Sequence, residues 1–394
     1  MSKAAFSKVE MRFLLGIGSA MALRQLGLIM VMPFMAIYGR QLAFSTPGLI
    51  GLSLGIYGLS QAVFQIPFGN WSDRFGRKIA MLSGMFIFIL GLVLAYFAQN
   101  IYVFILARLL QGSGAIMSVA YAWVGDNIRS EQRNKGMSII GMLVGMSATL
   151  AFIGGPVIHR WFNVPQMFLL CAALSLMAFV YIWLFLEGDQ KPASTVSPGE
   201  FSFLNLLKDG NLLKLFIAGF ITNYLLVSQF YIVPLLLEKS LGADGMWKVF
   251  APATLMAMVV MRVAAKYADA GHFVKVAAFS FGIIALGTLA YYLNGPYWVG
   301  LGMHLFMTGY MSLVTLLPAS VTKLSGKRYR GTVTGVFNTW QFIGSFIGGS
   351  LTGFLWGIDP FYSILLVAVI ALSGAVVIRR VTGEETKGDG DPVF

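Results

Sequence analysis

The chain has 394 residues, of which 57% are hydrophobic and 11% charged, and its formal net charge is +12. Soluble domains carry roughly a quarter charged residues, so water is not the main solvent of this chain, and a large soluble catalytic domain is excluded. The positive balance does not point to nucleic acid, because the basic residues lie between apolar segments, in alternate loops.

Crossing a bilayer takes about 20 mostly apolar residues. Apolar runs suggest helices near 12–39, 48–69, 79–98, 101–126, 135–158 and 164–187, then near 211–238, 244–268, 273–293, 296–322, 331–356 and 360–379. The first run is too long for the core of a signal peptide and lacks a small-residue cleavage site, so it reads as a retained helix. Lys3, Lys8 and Arg12 precede it; Arg74, Arg77 and Lys78 follow the second helix, and Arg129, Arg133 and Lys135 the fourth. The alternation continues to Arg379, Arg380 and Lys387 after the last helix, while the intervening loops hold only Arg40, Arg160, Lys239 and Lys248. This positive-inside pattern places both termini in the cytoplasm. The single cysteine, Cys171, has no partner for an intramolecular disulfide.

Arg24 and Gln25 lie about a dozen residues into the first helix, near mid-membrane at about 1.5 Å per residue. A cation there costs at least about 2.5–3.5 kcal/mol, so Arg24 must face a cavity or find partners. In the second helix Tyr57, Gln61 and Gln65 recur every fourth residue and form a polar stripe on one face. It leads into Gly69-Asn70-Trp71-Ser72-Asp73-Arg74-Phe75-Gly76-Arg77-Lys78, which packs an acid and three bases into a turn too short to be a linker. Asp73 can accept hydrogen bonds from a facing helix N-terminus, where the macrodipole favours an anion; Gly331, at the start of the eleventh helix, is the expected neighbour. Arg77 can pair with Asp126 at the end of the fourth helix, and the glycines allow a tight turn. The alternative is that these charges are solvated and only orient the protein.

The fourth helix carries Arg108 and Gln111; Arg108 is either a structural arginine bonded to helix carbonyls or Gln25, or a coupling group. The fifth helix holds Gly141, Gly145, Gly154, Gly155 and Pro156. A polar stretch, 188–210, then reads as a cytoplasmic linker between an N-terminal half, 1–187, and a C-terminal half, 211–380; the tail 381–394 reads as disordered and cytoplasmic. The halves are related in sequence. Ser130, Arg133, Lys135 and Gly136 recur 195 residues later as Ser325, Arg328, Arg330 and Gly331, and Phe152-Ile153-Gly154-Gly155 recurs as Phe346-Ile347-Gly348-Gly349. In the second half the seventh helix presents Asn223, Tyr224 and Tyr231, the tenth His304, and the eleventh Asn338, Trp340 and Gln341. Aromatic and amide groups around an apolar cavity suit a medium-sized amphiphile. The counterpart of the charged loop is degenerate, with Lys266, Asp269, Gly271, His272 and Lys275 in its place.

The loop from Gly69 to Lys78 closely resembles the signature of the major facilitator superfamily, G-x-x-x-D-R-x-G-R-K. Arg108-Leu109-Leu110-Gln111-Gly112-Ser113-Gly114 resembles the fourth-helix motif of its drug/proton antiporter branch, and Gly141, Gly145, Gly155 and Pro156 resemble the antiporter motif, incompletely because Val157-Ile158-His159 follow. The resemblance covers nearly the whole membrane domain. It implies an all-α fold of twelve transmembrane helices in two six-helix pseudo-repeats, with a substrate cavity where the repeats meet, in a bacterial inner membrane. Some members carry a soluble C-terminal domain, which this chain is expected to lack.

The resemblance implies a proton-coupled efflux antiporter of small amphiphilic solutes; an uptake symporter or facilitator and a non-transporting sensor are the alternatives. Partners are then a small-molecule substrate, protons and the lipid bilayer, with no nucleic acid and a monomeric state. No phosphate-binding G-x-x-x-x-G-K-[ST] and no metal-ligand spacing occur, so neither an ATP-driven step, a cofactor nor an enzymatic activity is expected. No acid sits at mid-membrane, whereas Arg24 and Arg108 lie within the membrane, which favours neutral or anionic substrates over cations. His304 or Asp126 is the expected proton carrier.

Overall fold

The computed structural model describes residues 6–129, 132–187, 209–325 and 330–381. Among these residues every regular element is a helix. In chain order they are α1 (Lys8–Gln41), α2 (Pro47–Phe75), α3 (Arg77–Tyr96), α4 (Ile101–Asn127), α5 (Arg133–Ile158) and α6 (Val164–Phe185). Then come α7 (Gly210–Leu241), α8 (Trp247–Tyr267), α9 (Phe273–Leu289), α10 (Pro296–Leu324), α11 (Arg330–Ile358) and α12 (Pro360–Arg379). Among the described residues ten stretches are long and apolar enough to cross a membrane. One of them, Ala243–Leu293, contains both α8 and α9, and α11, rich in Gly, Thr and Asn, is a further helix of 29 residues.

Local chemistry sets the ends and breaks. Ser7 caps α1 in a reciprocal box with Glu10, Asn163 does the same for α6 with Gln166, and Asp209 caps α7. Pro33 lies within a tighter 3-10 turn, Met32–Phe34, that interrupts α1. The fourth helix was expected to be continuous, but it breaks at residues 114–116: Ala115 and Ile116 donate to the carbonyls of Ser113 and Gly114 at 2.8 and 2.9 Å. The second helix, expected to end near 69, continues as a helix to Phe75. The linker proposed for 188–210 and the tail proposed for 381–394 lie outside the described residues, apart from Asp209, Gly210 and Val381.

Packing groups the chain into two compact units, one of residues 1–33 and 63–197, the other of residues 34–62 and 198–394, so the division falls inside the first two helices. In the first unit α1 packs on α5 and α6, and α3 packs on α4 and α6. In the second, α7 packs on α11 and α12, and α9 packs on α10 and α12, which is the same pairing six helices on. The repeated glycines explain part of this. A Cβ at Gly155 would stand 2.4 Å from the Met30 carbonyl oxygen, and one at Gly348 would stand 2.5 Å from that of Tyr224. Only a residue without a side chain lets these helix backbones approach so closely.

The core of the first unit is built around Phe13, Ile17, Met21, Phe68, Met85 and Trp123. Other large apolar side chains stay exposed, including Phe86, Leu90, Met177 and Trp183 in the first unit and Val259, Phe279, Leu286 and Val369 in the second. Exposed apolar surface of that extent belongs against lipid.

Candidate functional site

The charged loop forms where α2 stops and α3 starts. Gly76 makes the turn with a φ of 96°, a backbone state that favours glycine. Arg77, the first residue of α3, is thereby aimed along the helix ends. Its Nε donates to Asp126 Oδ2 at 2.7 Å, while Nη1 donates to Ser72 Oγ at 2.6 Å and to Asp73 Oδ1. The Arg77 side chain is 13% exposed, against 54% for Asp73 and 27% for Asp126. One nearly buried guanidinium therefore holds two carboxylates from different helices, using the forked geometry that lysine lacks.

The neighbours of Arg77 in sequence go elsewhere. Lys78 donates to the Trp183 and Leu186 carbonyls at 2.9 and 2.6 Å, capping the C-terminal end of α6, where the macrodipole favours a cation. Arg74 is exposed. Gly69 has the Ser118 hydroxyl 3.9 Å from where its Cβ would be. Gly331 lies in the first turn of α11, and its surroundings fall outside the described residues.

Deeper in the same unit, Arg24 is buried and donates from Nη2 to the Gly114 carbonyl at 3.0 Å, with its guanidinium 4.9 Å from the centre of the Phe88 ring. Gly114 is in the break of α4, so the cation binds a carbonyl released from regular helix bonding and an aromatic face. Beside it the α3 and α4 backbones touch, because a Cβ at Gly114 would be 2.2 Å from the Gly84 carbonyl oxygen. Arg108, also buried, donates to Gln111 Oε1, and Gln111 Nε2 donates to the Gly91 carbonyl at 3.0 Å. Gln25 is half-buried, and Gln65 is buried, its carbonyl accepting from Ser118 Oγ at 3.3 Å. The break divides α4 into Ile101–Ser113, which carries Arg108 and Gln111, and Met117–Asn127, which carries Asp126.

The glycines of α5 differ in their surroundings among the described residues. Gly155 meets the α1 backbone, whereas Gly141 and Gly145 have no atom within 4 Å of a Cβ position. Pro156 is accommodated inside α5.

In the second unit Tyr231 is buried, donates to the Pro47 carbonyl at 3.1 Å and meets Trp356 edge-on at 5.9 Å. Tyr224 is buried, Tyr57 half-buried and Gln61 buried. Asn223 donates to its own helix at Gly219, 3.4 Å away, and Trp340 meets Phe220 edge-on at 6.4 Å. Asn338 and Gln341 are half-buried, and the Gln341 carbonyl accepts from Ser345. The His304 Nδ1 is 2.8 Å from the carbonyl of Gly300, one turn earlier on the same helix. Gln229, Thr288 and Tyr291 form a fully buried network, with Gln229 donating to Thr288 at 2.6 Å and accepting from Tyr291 at 2.7 Å.

Three features were not anticipated from the sequence. Gly51, Gly55 and Gly58 of α2 lie directly against the backbone of α11: Cβ atoms there would stand 2.3 to 2.5 Å from the carbonyl oxygens of Gly349, Phe346 and Phe342. Their spacing on one helix face was the available signal. Arg40 pairs with Glu238 at 2.9 Å. Glu10, buried at the start of α1, binds Arg129 through Nε and Nη2, both at 3.0 Å, and thus ties α1 to the chain just after Asp126. The pattern Ser7-x-x-Glu10 announced the helix start, but nothing local announced Arg129. Among the described residues no cluster of His, Cys, Asp and Glu could hold a metal ion.

Membrane-length helices in a repeated arrangement, with cations held at helix breaks and helix ends, define a multi-pass membrane transporter. The chain belongs to the Major Facilitator Superfamily, whose family model matches residues 15–349. It is 35% identical over 354 residues to the Inner membrane transport protein YajR of Escherichia coli (strain K12), spanning 88% of this chain and 78% of that one. It is 28% identical over 180 residues to the Multidrug transporter protein MdtP of Bacillus subtilis (strain 168), spanning 42% of this chain and 32% of that one. Among solved structures, that of a D-xylose-proton symporter shares the fold, with a TM-score of 0.76 and 12% identity over 95% of this chain and 98% of that one. Proteins of this family are transporters, not enzymes.

Proposed function

We propose that this transporter is a proton-coupled efflux antiporter of small amphiphilic solutes, monomeric, and placed in a bacterial inner membrane with both termini in the cytoplasm. It works by alternating access, with its two six-helix halves rocking about a central substrate site. The observation that carries this reading is the single nearly buried Arg77 shared by Asp73 and Asp126. Protonation of either carboxylate removes an anion that binds the guanidinium, so proton binding and loosening of this cluster are linked. The cluster is thus a lock on the cytoplasmic side whose release is tied to the proton, with Asp126 as carrier and His304 as the rival. Substrate charge follows from the buried cations. Arg24 and Arg108 place two buried cations in the membrane helices of the first unit, and the groups around them include a carbonyl, a ring face and an amide. Neutral and anionic amphiphiles are therefore preferred to quaternary cations. Support for amphiphilic substrates comes from the similarity to the Multidrug transporter protein MdtP, and support for export from Gly155-Pro156 of the antiporter-like motif.

The reading is tested by counterflow in proteoliposomes with and without an imposed pH gradient. Gradient-driven transport is expected to be lost in Asp126→Asn and retained in His304→Ala. Transport indifferent to the gradient in the parent protein sinks proton coupling, and saturable movement of a quaternary cation with no movement of anions sinks the charge assignment. A C-terminal reporter active only outside the cytoplasm overturns the orientation.

A further inference from the structure

At the start of α1, residues of α1 and Tyr181 of α6 line an open groove of about 490 Å³. This is within the range of about 300–1,000 Å³ typical of small-molecule sites. Its lining combines Ser7, Lys8 and Arg12 with the apolar Phe6, Met11, Leu15 and Tyr181. The Arg12 guanidinium also lies 6.0 Å from the centre of the Phe185 ring.

Among the described residues these charges are not neutralised by an acid. Among the described residues neither Lys8 nor Arg12 forms an ion pair. The acid closest in sequence, Glu10, is engaged by Arg129 at 3.0 Å, and the capping box uses the N–H groups of Ser7 and Glu10. Those of Lys8 and Val9, in the first turn of α1, remain directed outward, where the helix dipole adds to the positive potential. On the apolar lining Leu15, two turns into α1, stays 46% exposed, while Tyr181 packs against Phe185 at 5.3 Å. A groove that combines a helix N-terminus and two cations without an ion pair among the described residues with aliphatic and aromatic lining matches a molecule that is anionic at its head and apolar behind it.

We propose that this groove binds an anionic phospholipid of the surrounding leaflet, with the phosphate between Lys8, Arg12 and the first turn of α1, and an acyl chain running past Leu15 and Tyr181. Basic pockets between helices at the membrane surface recognise lipid headgroups in this way. The proposed placement in the membrane decides only which leaflet supplies the lipid; binding in detergent does not depend on it. A lipid held there bridges α1 to α6, and α1 is the helix that carries Arg24.

The experiment is native mass spectrometry of the full chain in neutral detergent, titrated with dioleoylphosphatidylglycerol, dioleoylphosphatidylcholine or inorganic phosphate. Retention of phosphatidylglycerol is expected to exceed that of phosphatidylcholine by about tenfold or more. Each basic residue near such a surface contributes about 1 kcal/mol, or about fivefold. The double variant Lys8→Gln/Arg12→Gln should therefore lose about 25-fold in affinity, whereas Lys239→Gln/Lys248→Gln should lose none. Equal retention of the two lipids overturns the proposal without recourse to any variant, as does a Lys8→Gln/Arg12→Gln protein that binds like the parent. Displacement of the lipid by millimolar phosphate alone shows a simple anion site and overturns the acyl-chain half. A variant lacking residues 2–5 should bind phosphatidylglycerol as the whole chain does; if binding arises only on that deletion, the N-terminal segment is the occupant and the lipid is not.

Discussion

The loops after α2 and after α8 occupy equivalent places in the repeat, and they differ in what was kept. Both turn on a glycine of positive φ, 96° at Gly76 and 89° at Gly271. In the first loop the cation belongs to the loop and the distant acid to the end of α4. In the second the signs are exchanged: Asp269 is in the loop, and Lys323, near the end of α10, stands 3.8 Å from it. The first pair is built around a side chain 13% exposed, whereas the partners of the second are 68% and 79% exposed. Backbone geometry preserved both turns, but only one of them encloses its charge. An exposed pair at that distance contributes about 0–1 kcal/mol, while hydrogen bonds to charged groups away from water contribute about 1.5–3 kcal/mol each.

The largest effect is expected where this contrast is broken at its centre. Arg77→Gln strips the cation from two carboxylates, and counterflow should fall by about tenfold or more, the partial exposure of both acids holding the loss below that of a fully buried site. Arg77→Lys should recover part of the rate, since a point charge cannot serve Asp73, Asp126 and Ser72 as a planar fork does. Rates within twofold of the parent for both variants would show that the first loop is no more important than the second.

A sharper version imposes the polarity of the second loop on the first. Arg77→Asp combined with Asp126→Arg restores a pair of opposite sign, yet Asp73 would then face a second carboxylate one turn away. Transport is expected to stay near the level of Arg77→Gln, and to recover severalfold only when Asp73→Asn is added. Recovery in the double variant alone would mean that Asp73 is a bystander.

Glycines give the next effect in size, because they too are either enclosed or open. An alanine at Gly51 would place its Cβ 2.3 Å from the Gly349 carbonyl oxygen, whereas Gly141 has nothing within 4 Å. Gly51→Ala should destabilise the protein by about 1–3 kcal/mol through forced separation of backbones, and Gly141→Ala should stay within about 0.5 kcal/mol of the parent. Thermal denaturation in a single detergent checks both, and equal midpoints would remove the close α2–α11 contact from consideration. The smallest effect belongs to the second loop: Lys323→Gln should change counterflow by less than about twofold, and a loss comparable to that of Arg77→Gln would erase the distinction between the loops.

The helices were legible because a lipid-embedded backbone must satisfy its own hydrogen bonds, so apolar length alone marks a span. The charged loop was legible because Gly76, Arg77 and Lys78 sit together in the chain. Its internal division was not. Arg77 and Lys78 are adjacent residues of like charge, but successive positions on a helix point in different directions: one turns to Asp126 and the other to the end of α6. Arg24 was recognisable as a cation needing partners, but these include the carbonyl of Gly114, 90 positions away, and the face of Phe88. The interruption of α4 had no proline to announce it.

What the sequence by itself determined is the solvent, the number of long helices, the six-helix repeat and the identity of the charged loop, all of which depend on composition, periodicity or adjacency. Only the tertiary structure decided which of the cations would be enclosed, where α4 would break, that Glu10 would hold Arg129, and that glycines of α2 would lie against the backbone of α11. These outcomes depend on distances between segments remote in the chain, and among the described residues the acid and base paired at the loop after α8 remain exposed.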